Sequence, residues 1–158
     1  MKIRVIKIGK PADKAYSQLA EKFEKRLKSF CKFEHLVLKA HDGVEKSKRE
    51  LFSKLDLDAS GNSTNSSHVV MTLDERGEIL SSPQVADLIR KTIDDSHIKC
   101  LSIVIGGPYG IPEELRRSST KIWSLSKAVF PSDMAWVMVW EQLYRASAII
   151  KGTSYHHI

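Results

Sequence analysis

At 158 residues the chain suits a single domain that buries its own core without disulfide or metal support. Hydrophobic residues at 42% and charged residues at 28% are globular proportions, and no run approaches the ~18 apolar residues of a membrane span. The formal charge of +6 is uneven: residues 1–54 carry +8, residues 55–115 carry −6 and residues 116–158 carry +4. Basic surface attracts polyanions, so the N-terminal third and the C-terminal end are candidate nucleic-acid contacts, with a solvated lysine face as the ordinary alternative. Cys31 and Cys100 are the only cysteines and show no CxxC or His-paired spacing, which gives no support to a disulfide framework or a metal site.

Residues 2–8 alternate charge and apolar character at a strand period, without the continuous apolar stretch of a secretory signal, so the fold is expected to start at residue 1. Pro11 then opens a helix with Ala15, Leu19, Phe23, Leu27 and Phe30 at helical spacing and Lys14, Lys22, Lys25 and Lys28 on the other face. Residues 33–39 read as a second strand and 46–55 as a short amphipathic helix, with Leu51, Phe52 and Leu55 turned inward. The polar run 61–67 reads as a mobile surface loop, too short to separate two domains.

Residues 68–73 form a β-branched strand, 74–77 a turn, and Ser81-Ser82-Pro83 a helix start that sends Val85, Leu88, Ile89 and Ile93 to the core. Residues 98–105 are apolar enough for a central strand, which runs into Gly106-Gly107-Pro108-Tyr109-Gly110. Pro112 begins a short helix, 122–125 form a last strand, and 133–150 carry the longest helical pattern. This alternation predicts one α/β domain over 1–158, with a mostly parallel sheet flanked by helices. The last helix is apolar on most sides, so either a self-contained core or a second subunit must cover its remaining face.

The glycine-rich turn is the best local signal of a small-molecule site, because glycines admit close approach and ligands gather at the carboxyl ends of parallel strands. Its spacing fits neither GxGxxG nor GxxxxGK[ST], and no GxSxG, HExxH or Cys-His-Cys set occurs. The residues alone therefore predict an α/β ligand-binding protein with basic ends.

Five motifs taken in order go further: Val70-Met71-Thr72-Leu73-Asp74, Ile105-Gly106-Gly107-Pro108-Tyr109-Gly110, Trp123-Ser124-Leu125-Ser126 with Pro131, Glu141-Gln142-Leu143-Tyr144-Arg145-Ala146, and Tyr155-His156. Together they resemble the RlmH family of SPOUT-class methyltransferases over essentially the whole chain. The resemblance implies a cytoplasmic homodimer with a C-terminal trefoil knot. Its reaction would be methyl transfer from S-adenosylmethionine to nitrogen-3 of a pseudouridine in 23S ribosomal RNA, without membrane or metal. It places the cofactor at Leu73, at Gly106, and along Leu125, Ser126, Lys127, Ala128, Val129 and Phe130. Tyr155, His156 and Arg145 become the candidate catalytic residues: His156 as proton acceptor, Tyr155 as a stacking or hydrogen-bonding partner of the base, and Arg145 as a phosphate ligand or a partner of Glu141. The chain departs from the family pattern at Ser132, where His is common, and at Trp136, where a basic residue is common. Those departures keep open the alternative of a non-catalytic RNA-binding protein, and a methyltransferase with another RNA target stays open because fold and cofactor site do not fix the substrate.

Overall fold

The computed structural model describes residues 1–40 and 44–155. Five parallel strands form one sheet in the order β2-β1-β4-β3-β5: β1 (Lys2–Ile8), β2 (Lys32–Leu38), β3 (His68–Ile79), β4 (Cys100–Ile105) and β5 (Lys121–Ser124). Five helices link them: α1 (Lys14–Leu27), α2 (Val44–Lys54), α3 (Ser82–Asp94), α4 (Glu113–Ser118) and α5 (Ser132–Lys151).

Strand alternation divides the apolar residues between two faces. Ile3, Val5, Met71, Leu101, Ile103, Ile105 and Trp123 meet α1, α3 and α5 on one face. Ile6, Ile8, Val70 and Val104 meet Leu51, Phe52 and Leu55 of α2 and Leu115 of α4 on the other. The result is a three-layer α/β/α domain in which both faces of the sheet are covered.

Local chemistry fixes the helix ends. Ser81 caps α3 in a reciprocal box with Gln84, and Gly152 ends α5 at φ +68°. The first helix starts later than Pro11, because the Asp13 carboxylate caps it by accepting from the Ala15 N–H at 2.7 Å, while the Ala12 N–H is taken by Asp133 at 2.8 Å. Its inward stripe is also rotated: Ala20 and Leu27 are buried with Tyr16 and Phe23 beside them, while Leu19 stands exposed.

One expected turn is strand, and the expected loop is irregular chain tied down by hydrogen bonds. Residues 74–77 are not a turn between elements but a bulge inside β3, where pairing with β5 shifts between Leu73 and Glu78. A Cβ on Gly77 would lie 2.7 Å from the Ile122 carbonyl carbon, so this position admits only glycine without a shift of β5. The run 61–67 is held by hydrogen bonds: the Asp58 carboxylate accepts from the Ser60 and Asn62 N–H groups, and Asn65 ties back to Asp56.

Candidate active site

The carboxyl ends of β4 and β5 and the Leu73–Arg76 stretch of β3 surround a cleft of about 460 Å³. Leu73 comes from β3, Ile105 ends β4 and is followed by Gly106, Gly107, Pro108 and Gly110, and Leu125, Ser126, Ala128, Val129 and Phe130 follow β5. Ser132 and Ala135 of α5 close the floor. Seven of the eight residues proposed from sequence to hold the cofactor line this cleft; Lys127 does not. The 125–130 loop is shaped by its serines: the Ser124 hydroxyl donates to the Ser126 carbonyl at 2.7 Å, and the Ala128 N–H donates to the Ser126 Oγ at 3.1 Å.

The reason for glycine at 106 differs from the one expected. A Cβ there would lie 2.8 Å from the Gly110 carbonyl carbon, so Gly106 is required by the closeness of the turn to itself, before any ligand is considered. Gly110 has φ +74°, which lets the turn close with its N–H on the Gly107 carbonyl at 2.9 Å.

Sequence reasoning missed the polar wall. The β3 bulge supplies Asp74, Glu75 and Arg76, the charged residues of the cleft. Arg76 clasps Asp74 with Nε and Nη2 at 2.8 and 2.9 Å, and Arg116 Nη1 adds a contact at 3.6 Å. The Arg76 guanidinium therefore holds the Asp74 carboxyl below the usual carboxylate range. The available signal was the sudden Asp-Glu-Arg-Gly charge within an otherwise apolar strand.

Tyr155 and Arg145 lie elsewhere. Both sit on Glu141: Arg145 Nη2 is 2.5 Å and the Tyr155 hydroxyl 3.2 Å from Glu141 Oε1, and the Arg145 guanidinium lies 4.9 Å from the Tyr155 ring centre. Burial, reinforced by the Glu141 charge, raises the Tyr155 phenol above its ordinary value. Ala135 in the cleft and Arg145 are ten residues apart on one helix, about 15 Å along its axis. His156 lies outside the described residues. Of the two departures, Ser132 faces the cleft, whereas Trp136 is fully buried against His35 at a ring separation of 4.8 Å. Trp136 thus offers RNA no surface.

A second polar set occupies the opposite end of the sheet. His68 Nδ1 is 3.0 Å from Asp56 Oδ2, and Nε2 is 2.8 Å from Ser102 Oγ. The order acid, imidazole, hydroxyl matches nucleophilic catalysis, but Ser102 is completely buried and lines no part of the cleft. This set serves structure. Among the described residues no group of three metal-ligating side chains converges.

The comparisons with known proteins agree with this architecture. The family model described as "Predicted SPOUT methyltransferase" matches residues 1–156. A Thermotoga maritima protein named ribosomal RNA large subunit methyltransferase H is 34% identical, covering 99% of this chain and all of its own length. A Christiangramia forsetii protein of the same name is 36% identical, covering 99% of each. Among solved structures, a probable methylase family protein of Haemophilus influenzae Rd KW20 shares the fold at TM-score 0.56 and 10% identity, over 99% of this chain and 70% of its own. With a family match across the chain and relatives of equal length, the chain belongs to the SPOUT methyltransferase family.

Proposed function

We propose that this chain transfers a methyl group from S-adenosylmethionine to nitrogen-3 of a pseudouridine in 23S ribosomal RNA, in the cytoplasm and as a homodimer. The carrying observation is the cleft: its size suits a nucleoside-sized ligand, and Leu73, Leu125 and Phe130 offer apolar walls beside the backbone amides of the glycine turn and the 125–130 loop. Those residues would hold the cofactor, whose sulfonium supplies an already activated methyl group. The chain's own work is then alignment of the base and removal of its imide proton, the role assigned to His156. The strand order, with β5 outermost and α5 returning onto α1 and α3, is compatible with a threaded C-terminal half.

The separation of the cleft and the tail supports the second copy. Met134, Met138, Glu141 and Arg145 recur at helical spacing along the side of α5 that α1 and α3 leave partly exposed. Pairing of two such stripes about a two-fold axis would carry the Arg145–Tyr155 end of one protomer to the cleft of the other.

The test compares ribosomal RNA nucleosides by mass spectrometry from cells with and without the gene. Loss of a methylated pseudouridine from 23S RNA, restored by the purified protein with S-adenosylmethionine, is the expected result. Loss of a methyl group at a different nucleotide would keep the methyltransferase and overturn the target, and an unchanged nucleoside profile would overturn both.

A further inference from the structure

The end of α5 does not release the chain into solvent. Gly152, in the left-handed conformation, gives its N–H to the Ile149 carbonyl at 3.1 Å, and the Thr153 N–H follows on the Ala148 carbonyl at 2.9 Å. These bonds turn the chain back along the helix. Tyr155 consequently lies beside residues about two to three turns before the helix end. Its ring meets that of Tyr144 edge to face at 4.5 Å between centres, and its hydroxyl donates to Glu141 Oε1 at 3.2 Å. The root of the reversal is fastened as well, because Lys151 Nζ donates to the Ser29 carbonyl at 3.1 Å.

Tyr144 is itself held from another element. Phe23 of α1 packs on it at 6.0 Å between ring centres, and the Arg26 guanidinium stands 5.5 Å from the centre of its ring. With the Arg145 guanidinium over the Tyr155 ring, two aromatic rings follow in series with a cation on each. A terminal segment ordinarily frays unless it is tied down, and His156, to which proton removal is assigned, directly follows Tyr155 in the chain. The reaction then depends on how fully Tyr155 is docked.

Resting on the proposed function, we propose that Tyr144, braced by Arg26 of α1, is a positioning residue that fixes the tail for methyl transfer. Neither side chain lines the cleft, so both act through Tyr155 and not on the cofactor. The first helix thereby bears on the reaction from outside the cleft.

The test uses the full-length protein and intact ribosomes from cells lacking its gene. Tyr144→Ala should lower kcat roughly ten-fold, while the KM for ribosomes and the S-adenosylmethionine affinity stay within about two-fold. Tyr144→Phe should restore kcat, since the ring and not the hydroxyl makes these contacts. Arg26→Gln, at an exposed position, should lower kcat roughly two-fold to three-fold in the same pattern. A second readout needs no activity: trypsin, cutting after Lys151, should release the tail roughly five-fold faster from Tyr144→Ala than from the wild type. Faster release with unchanged kcat overturns the proposal, as does unchanged release or failure of Tyr144→Phe to restore kcat. If Tyr144→Ala does not fold, Arg26→Gln decides by the same two readouts. Dissociation of a wild-type dimer in Tyr144→Ala overturns it in favour of a subunit contact. If the wild-type protein transfers no methyl group, the proposed function falls separately; the hold on the tail is then decided by trypsin alone, and equal release from wild type and both variants overturns it.

Discussion

Lys7 Nζ lies 2.8 Å from Asp133 Oδ1, joining the end of β1 to the first turn of α5 beneath the cleft. Both side chains are largely buried, and the pair is completed by the Gly9 carbonyl accepting from Lys7 and by the Ala12 N–H donating to Asp133. Burial alone would raise the Asp133 carboxyl, but these two donors more than offset it and its net position is below the ordinary carboxylate value. Removing one partner leaves an uncompensated buried charge, at about 3–5 kcal/mol. Lys7→Met should therefore destabilise strongly in urea unfolding, while Lys7→Met with Asp133→Leu should recover most of the loss. Because the folded carboxyl is depressed, the Asp133 contribution is full above its usual value of 3.8 and fades as pH falls through the lower folded value. Equal destabilisation by the single and double replacements would mean the pair is not the source.

The cofactor pocket is tested at Ala128, which is exposed and lines the cleft. Ala128→Trp should place an indole in the ligand's space and weaken S-adenosylmethionine binding by roughly ten-fold or more, with little change in thermal unfolding of the free protein. Lys127→Ala should leave that affinity within about two-fold, since Lys127 takes no part in the cleft lining. Calorimetry reads both, with one site per chain expected in the wild type. Normal affinity in Ala128→Trp would move the cofactor elsewhere.

Much of the fold was legible because it is local. The Leu51, Phe52, Leu55 stripe, the Ser81 cap and the apolar β4 run each report a short-range requirement that their residue types express directly. The errors share a different cause. Tyr16 and Ala20 face the core in place of Ala15 and Leu19 because α5 sets the rotation of α1 from more than a hundred residues away. Residues 74–77 look like a turn by composition, and only the pairing with β5 makes them a strand bulge. In the same way, the glycine turn announced a site, but its polar wall and the distance between Arg145 and the cleft are tertiary facts.

The separation of tail and cleft predicts complementation. Removing residues 155–158 should abolish methyl transfer while sparing cofactor binding, because the cleft is built upstream. If active sites join a cleft from one protomer to a tail from the other, mixing the truncated chain with Ala128→Trp regenerates intact sites in the mixed dimers. Random exchange should return roughly a quarter of wild-type activity. A mixture as inactive as its components, after exchange is confirmed by mass, would place cleft and tail in one protomer.

The basic face of α1 predicts a salt effect. Lys22, Lys25 and Lys28 are exposed together, away from the cleft. Replacing all three with Ala should weaken RNA binding and flatten the dependence of log affinity on log salt by about 0.7 to 0.9 for each phosphate that is no longer neutralised. An unchanged slope would identify these lysines as a solvated face.

The chain Asp56–His68–Ser102, buried at His68 and Ser102 and open to solvent at Asp56, predicts a pH effect on stability at the far end of the sheet. Uncharged His68 can donate from Nδ1 to the Asp56 carboxylate and accept the Ser102 hydroxyl proton at Nε2, and it also anchors the loop that leaves α2. Burial disfavours the charged ring, but the neighbouring Cys100 sulfur and Asp56 carboxylate outweigh it, so the folded value lies above the usual 6.5. Arg4 is the remaining charge nearby, acting on both Asp56 and Cys100. Since folding favours protonated His68, its stabilisation is complete below pH 6.5 and is lost as pH rises through the higher folded value. Urea unfolding from about pH 6 to about pH 8.5 should show wild type losing stability relative to His68→Gln, which cannot take up the proton. Cys100→Ala should shrink that difference, because the sulfur is the strongest of the groups favouring the charged ring. Parallel pH curves for wild type and His68→Gln would show that the ring stays neutral in the folded protein and that the Asp56 contact holds the loop without charge.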